Sequence, residues 1–107
     1  PADPLALLSI GDAEFNHRFG RTPLARPGSS GLRRNAAIVV GNSGDQAAIP
    51  KLAALVNDPD AVVRGAVAWA LGELGGEVAL RVLRAWSEHE VDAAVRAEIT
   101  TALAHAE

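Results

Sequence analysis

Between Phe15 and Gly44 stand Arg18, Arg21, Arg26, Arg33 and Arg34 with no acidic residue among them, a local charge of +5. A guanidinium carries five N–H donors in a rigid fork and stays charged at any physiological pH. With no carboxylate near Arg21, Arg26, Arg33 or Arg34 in sequence, these arginines suit an anionic partner, above all the phosphates of a nucleic acid. Asn35 and Asn42 fall in the same stretch and have two readings. Each can satisfy backbone groups of an adjoining loop, or hydrogen-bond a base or a ribose. From Asp45 onward the balance inverts, with five basic residues facing ten acidic ones. The net charge of -3 therefore conceals a lopsided field, positive toward the front of the chain and negative behind, which points to an anionic partner at the first end.

Chemistry that breaks bonds finds little support. The chain has no cysteine, which removes disulfides, thiolate catalysis and thiolate metal ligation. His17, His89 and His105 are far apart and lack the i, i+4 spacing of a helical metal pair, so all three are read as surface residues. Gly41-Asn42-Ser43-Gly44 and the GELGG run from Gly72 to Gly76 look like glycine-rich phosphate loops. Both lie where helices end, and there glycine has a structural job. No apolar run reaches the roughly 18 to 20 residues of a membrane span, and no signal-peptide pattern opens the chain, so a soluble domain is expected. There is no methionine and the first residue is Pro1, the pattern of a trimmed initiator or of a piece of a longer protein.

The elements that must position these residues are helices. A shift of thirty-one residues sets Arg33 on Arg64, Ala37 on Ala68, Val40 on Leu71, Gly41 on Gly72 and Gly44 on Gly75. A repeat near this length, each unit a helix pair unable to bury its own apolar face, indicates an all-α chain: a short α-solenoid of HEAT-like helix pairs. At 107 residues there is room for one domain. It divides into an N-terminal segment, residues 1–31, and a repeat region, residues 32–107. Pro1 and Pro4 argue against regular structure at the start, while Leu5, Leu7, Leu8 and Ile10 need something to dock on. Asp12 caps a short helix anchored by Phe15 and Phe19, and the basic stretch Arg21 to Gly31, with two prolines and two glycines, is an extended loop. Helices follow over 32–44, 45–56 with Pro50 in the opening turn, 61–74, 77–87 and 92–104. Arg64 is expected to tie neighbouring repeats through Asp58 or Asp60, and Trp69 and Trp86 are expected in the core. In the helix over 61–74 apolar side chains cover most of the girth, leaving Arg64, Ala68 and Gly72 as its open row. Arg96, one residue out of register, matches Arg64, and with Glu98, Thr100 and Thr101 it gives the last helix a polar outer face.

Phe15, the TPL-x-R element at Thr22, Pro23, Leu24 and Arg26, then Leu32, Arg34-Asn35 and Gly41-Asn42 together resemble the C-terminal part of the bacterial tRNA epoxyqueuosine reductase family. The VRGAVAWALGELG repeat is similar also to the short HEAT repeats of phycobilin lyases and of many scaffolds. The first resemblance implies a cytoplasmic oxidoreductase that converts epoxyqueuosine to queuosine in tRNA with cobalamin and two [4Fe-4S] clusters. It implies that those cofactors and the catalytic residues belong to an N-terminal catalytic portion, which becomes a partner of this chain. The role left for this chain is to hold the tRNA anticodon stem-loop, on Arg18, Arg21, Arg26, Arg33, Arg34, Asn35 and Asn42. An alternative is a protein-protein scaffold that docks a partner through an exposed patch of Leu5, Leu7, Leu8 and Ile10. A free-standing lyase-like enzyme is disfavoured by the missing thiol and the lack of paired catalytic residues.

Overall fold

A computed structural model describes residues 3–11, 13–14, 17 and 28–107. The Asp12 cap, the Phe15 and Phe19 anchors, and most of the basic loop with Arg18, Arg21 and Arg26 lie outside the described residues. Within them every regular element is helical: α1 (Pro4–Leu7), α2 (Gly28–Ser43), a 3₁₀ turn (Gln46–Ala48), α3 (Ile49–Ala53), α4 (Ala61–Leu74), α5 (Gly76–Ser87) and α6 (Ala93–Ala106). Helices α2, α4 and α6 stack side by side, and α3 and α5 pack behind them.

Aspartate starts most of these elements. Asp3, Asp45, Asp60 and Asp92 each turn a side-chain oxygen onto a free N–H of the following turn, at 3.1, 3.0, 2.8 and 3.0 Å. Such a cap satisfies a donor with no partner inside the helix and sets negative charge against the positive end of the helix dipole. Asp60→Ala should therefore cost about 1 kcal/mol, read as a shift of the urea unfolding midpoint. At the other end of α4, Gly75 takes φ +65°, a left-handed conformation that glycine adopts without strain. Gln46 of the preceding unit then donates Nε2 to the carbonyls of Leu74 (2.6 Å) and Gly75 (3.2 Å).

Three boundaries differ from expectation. Pro4 begins a helix, because at the first helical position the missing N–H has no partner to lose. Helix α2 starts at Gly28, four residues ahead of Leu32, with the Gly-Ser-Ser-Gly run as its opening turn. The single helix expected over 45–56 is a 3₁₀ turn followed by a short α-helix with Pro50 in its opening turn.

The core runs continuously through the stack. Val63, Val67, Ala68, Ala70 and Leu71 of α4 are 0% exposed, as are Ala37, Leu52, Ala79 and Leu83. Two contacts set how tightly the stacked helices meet. A Cβ at Gly41 would stand 2.8 Å from the Trp69 ring and 2.9 Å from the Ala70 Cα, and one at Gly72 would stand 2.8 Å from both Cα and Cβ of Ala102. Glycine is required there because another backbone occupies the side chain's place. The front leucines are docked inside the chain. Leu8 and Ile10 are buried, and Leu5 and Leu7 are half-buried against the core. The exposed apolar patch on which the scaffold alternative depends is absent.

Candidate nucleic-acid interface

The arginine that recurs in each unit forms a ladder along one side of the stack. Arg33 on α2 donates Nε and Nη2 to the Asp58 carboxylate, at 2.8 and 3.3 Å, and Nη1 to the carbonyl of Ile10 at 3.0 Å. Arg64 on α4 repeats the arrangement one unit later, with Nε and Nη2 on Glu90 at 3.0 and 3.2 Å and Nη1 on the Asp58 carbonyl at 2.7 Å. Arg96 on α6 gives Nη1 to the Glu90 carbonyl at 2.8 Å. Arg33 and Arg64 thus each tie an upstream backbone carbonyl to the carboxylate of the next turn along the solenoid, while Arg96, on the last helix, holds the carbonyl of the turn before it. Two expectations change. Arg33, assigned from sequence to phosphate contact, has its fork occupied by a buried carboxylate that lies 25 residues further along the chain. Arg64 meets Asp58 only at the backbone, and its charge partner is Glu90, not Asp58 or Asp60.

Glu90 is the centre of this network and is 5% exposed. It also accepts from Trp86 Nε1 at 3.0 Å and from the backbone N–H of Val91 and Asp92 at 3.1 and 3.0 Å. Burial pushes its carboxyl upward, but hydrogen bonds from Arg64, the Asp92 N–H and Trp86, with the Arg64 charge, outweigh that and hold it at about 2, below the ordinary 4.5.

The opposite side of the stack carries polar groups not committed to the fold. Arg34 is exposed and donates Nη1 to Asn35 Oδ1 at 3.2 Å. No carboxylate among the described residues pairs with it. Asn35 and Asn42 are exposed as well, seven residues apart and so on one stripe of α2. Arg34 borders a groove of about 390 Å³ whose other walls are Ile38, Val62, Gly65, Ala66, Trp69 and Glu98. This locates the open row of α4, and it is not the row read from sequence. Ala68 and Gly72 are buried, Gly72 against Ala102 of α6, while Val62 is 60% exposed and Gly65, Ala66 and Trp69 are half-covered. Trp69, expected as core, lies with its ring on Gly41 and another part of its surface lining the groove. Trp86 is the fully buried tryptophan.

His17, His89 and His105 are exposed, and His105 Nε2 sits 2.9 Å from Glu73. Iron-sulfur clusters are held by thiolates, and a chain without cysteine has none to offer. Among the described residues no group of three His, Cys, Asp or Glu could hold a metal, and no helix is long and apolar enough to cross a membrane.

The family model for HEAT repeats matches residues 22–104. The chain is 34% identical over 94 residues to an epoxyqueuosine reductase of Bacillus subtilis, covering 87% of this chain and 24% of the relative. Against the Listeria monocytogenes epoxyqueuosine reductase it is 35% identical over 95 residues, 88% of this chain and 25% of the relative. A solved epoxyqueuosine reductase with an epoxyqueuosine-modified tRNA-Tyr stem loop superposes with a TM-score of 0.90 at 31% identity, over 95% of this chain and 28% of that one. The chain thus spans about a quarter of the length of these relatives. With its stacked helix pairs, its recurring arginine and the match over most of its length, the chain belongs to the HEAT-repeat family, in a form similar to that found in epoxyqueuosine reductases.

Proposed function

We propose that this chain is the substrate-holding part of a tRNA epoxyqueuosine reductase, seating the anticodon stem-loop while catalysis takes place on another portion of the same protein. The observation that carries this reading is the close likeness, at 31% identity, to a reductase solved with a tRNA stem loop. Arg34 supports it as an exposed guanidinium with no carboxylate partner among the described residues, and Asn35 and Asn42 are exposed on the same helix. Arg18, Arg21 and Arg26, which precede that helix in sequence, are assigned to the same RNA contact by their charge. Arg33 is left out, because its charge already serves Asp58. Cobalamin and the [4Fe-4S] clusters would be held by residues outside this chain, and the reaction in the cytoplasm would be the conversion of epoxyqueuosine to queuosine in tRNA.

Binding to an anticodon stem-loop should be strongly salt-dependent. Four neutralised phosphates give a slope of about -3 in log affinity against log salt, a loss on the order of 50- to 100-fold between 50 and 200 mM. Arg34→Ala should lower the affinity about five- to tenfold and flatten that slope by about 0.8, with unfolding unchanged. Salt-independent binding by the chain, or no binding at low salt, would refute the proposal.

A further inference from the structure

Gly65 has no structural explanation in the fold. It sits in the middle of α4, where glycine is the poorest helix former after proline, and a Cβ built on it meets nothing within 4 Å. Its φ is not in the left-handed region, so the turn does not ask for it either. The two packing glycines, Gly41 and Gly72, are each pressed by a neighbouring backbone, whereas Gly65 opens into the groove of about 390 Å³. What a side chain there would fill is the floor of that groove.

The groove is also polarised. Trp69 and Ala66 continue the floor from Gly65, and Ile38 and Val62 make apolar walls. Arg34 stands at one rim and Glu98 on α6 at another. Glu98 is half-buried, and no hydrogen-bond or ion-pair partner for it exists among the described residues. A carboxylate repels phosphate and accepts from N–H donors, whereas a guanidinium does the reverse. A ligand that satisfies both must be flat, apolar on its faces, anionic at one end and rich in N–H at the other. An unstacked RNA nucleotide fits: the base stacks on the indole, its phosphate faces Arg34, and its hydrogen-bonding edge faces Glu98. Two adjacent N–H groups, as on the Watson–Crick edge of guanine, match the two oxygens of one carboxylate. A protein segment would need no such division of charge.

We infer that the groove over α4, bordered by α2 and α6, receives one splayed-out, guanine-type base of the bound RNA, stacked on Trp69 over Gly65 and read by Glu98. This rests on the RNA-holding role proposed above and adds a base-selective subsite to it.

The test uses three readouts on one set of proteins. Trp69 is the solvent-accessible tryptophan and Trp86 is buried, so fluorescence quenching reports stacking in the groove. Guanosine 5′-monophosphate should quench the wild-type chain and uridine 5′-monophosphate should do so about tenfold less well, the scale of one bidentate base contact. Gly65→Leu, which fills the floor with a good helix former, should weaken anticodon stem-loop binding about tenfold, the scale of one lost base stack. Glu98→Gln should abolish the preference for guanosine over uridine while leaving the salt slope of stem-loop binding unchanged. Circular dichroism checks that both variants are folded. Stem-loop binding that is unchanged in Gly65→Leu and quenches no fluorescence overturns the subsite and leaves the RNA-holding role standing, with a protein segment as the groove's occupant. Absence of both stem-loop binding and guanosine quenching overturns both.

Discussion

Replacing Glu90 by glutamine is expected to destabilise this chain by about 3 kcal/mol at neutral pH, a large part of the 5 to 15 kcal/mol typical of a small domain. The carboxylate is buried and is the shared acceptor for Arg64, Trp86 Nε1 and two backbone N–H groups of the turn before α6. An amide can accept from some of these donors, but it leaves the Arg64 charge without its counter-ion in a site from which water is largely excluded. The sign of the pH dependence follows from the lowered carboxyl. Well above 4.5, Glu90 is charged in both states and its contribution is complete. As the pH falls below 4.5 the unfolded chain takes up a proton first, and the contribution drains away until the folded carboxyl itself protonates at about 2. Between pH 7 and pH 3 this group alone should cost the wild type about 2 kcal/mol. The gap between wild type and Glu90→Gln should therefore shrink from about 3 to about 1 kcal/mol over that interval, measured by urea titrations followed through Trp86 fluorescence. A gap that stays constant with pH would show that Glu90 acts through shape and not through charge.

Gly72→Ala should cost a similar amount, about 3 kcal/mol, although alanine is by about 1 kcal/mol the better helix residue. The added methyl would stand 2.8 Å from both Cα and Cβ of Ala102, so the clash is with a neighbouring backbone and no side-chain rotation relieves it. Helices α4 and α6 would have to separate along their length, loosening Val67, Leu71, Val95 and Ile99 together. Gly65→Ala supplies the control of opposite sign. Its methyl meets nothing within 4 Å, so a stabilisation approaching 1 kcal/mol is expected. Thermal unfolding of the two variants side by side separates close packing from helix propensity. A mild effect of Gly72→Ala would mean that the contact between α4 and α6 is more yielding than its geometry indicates.

The helices were legible where their signals are local. The apolar positions over 61–74 and the glycines that end the run place α4 over Ala61–Leu74, as its sequence reads, and the Asp60 cap is what the structure adds. What could not be read locally was the partner of each polar or small residue. Arg33 appeared free because no acid stands near it in sequence, yet Asp58 arrives 25 residues later through the stacking of repeats. Arg64, Ala68 and Gly72 resembled an open row because they are the least oily positions of α4. In the fold Arg64 is held by Glu90, and Gly72 is small because the backbone of Ala102 crosses it. Val62, Ala66 and Trp69 resembled core by the same reasoning in reverse, and they border the groove. Composition distinguishes apolar from polar, but which side of a helix is covered depends on the neighbour that the repeat brings against it. One signal was available in the sequence: a lone glycine in mid-helix, at Gly65, away from either end.

The contact at Gly41 acts at a distance. At Gly41 the backbone of α2 meets Ala70 of α4 with the Trp69 ring pressed on the same glycine, and Trp69 is also a wall of the groove. A methyl added at Gly41 would displace the Trp69 ring and the Ala70 backbone, so the shape of the groove depends on a position that does not line it. Bulk at Gly41 should thus tune the aperture with no rim residue substituted.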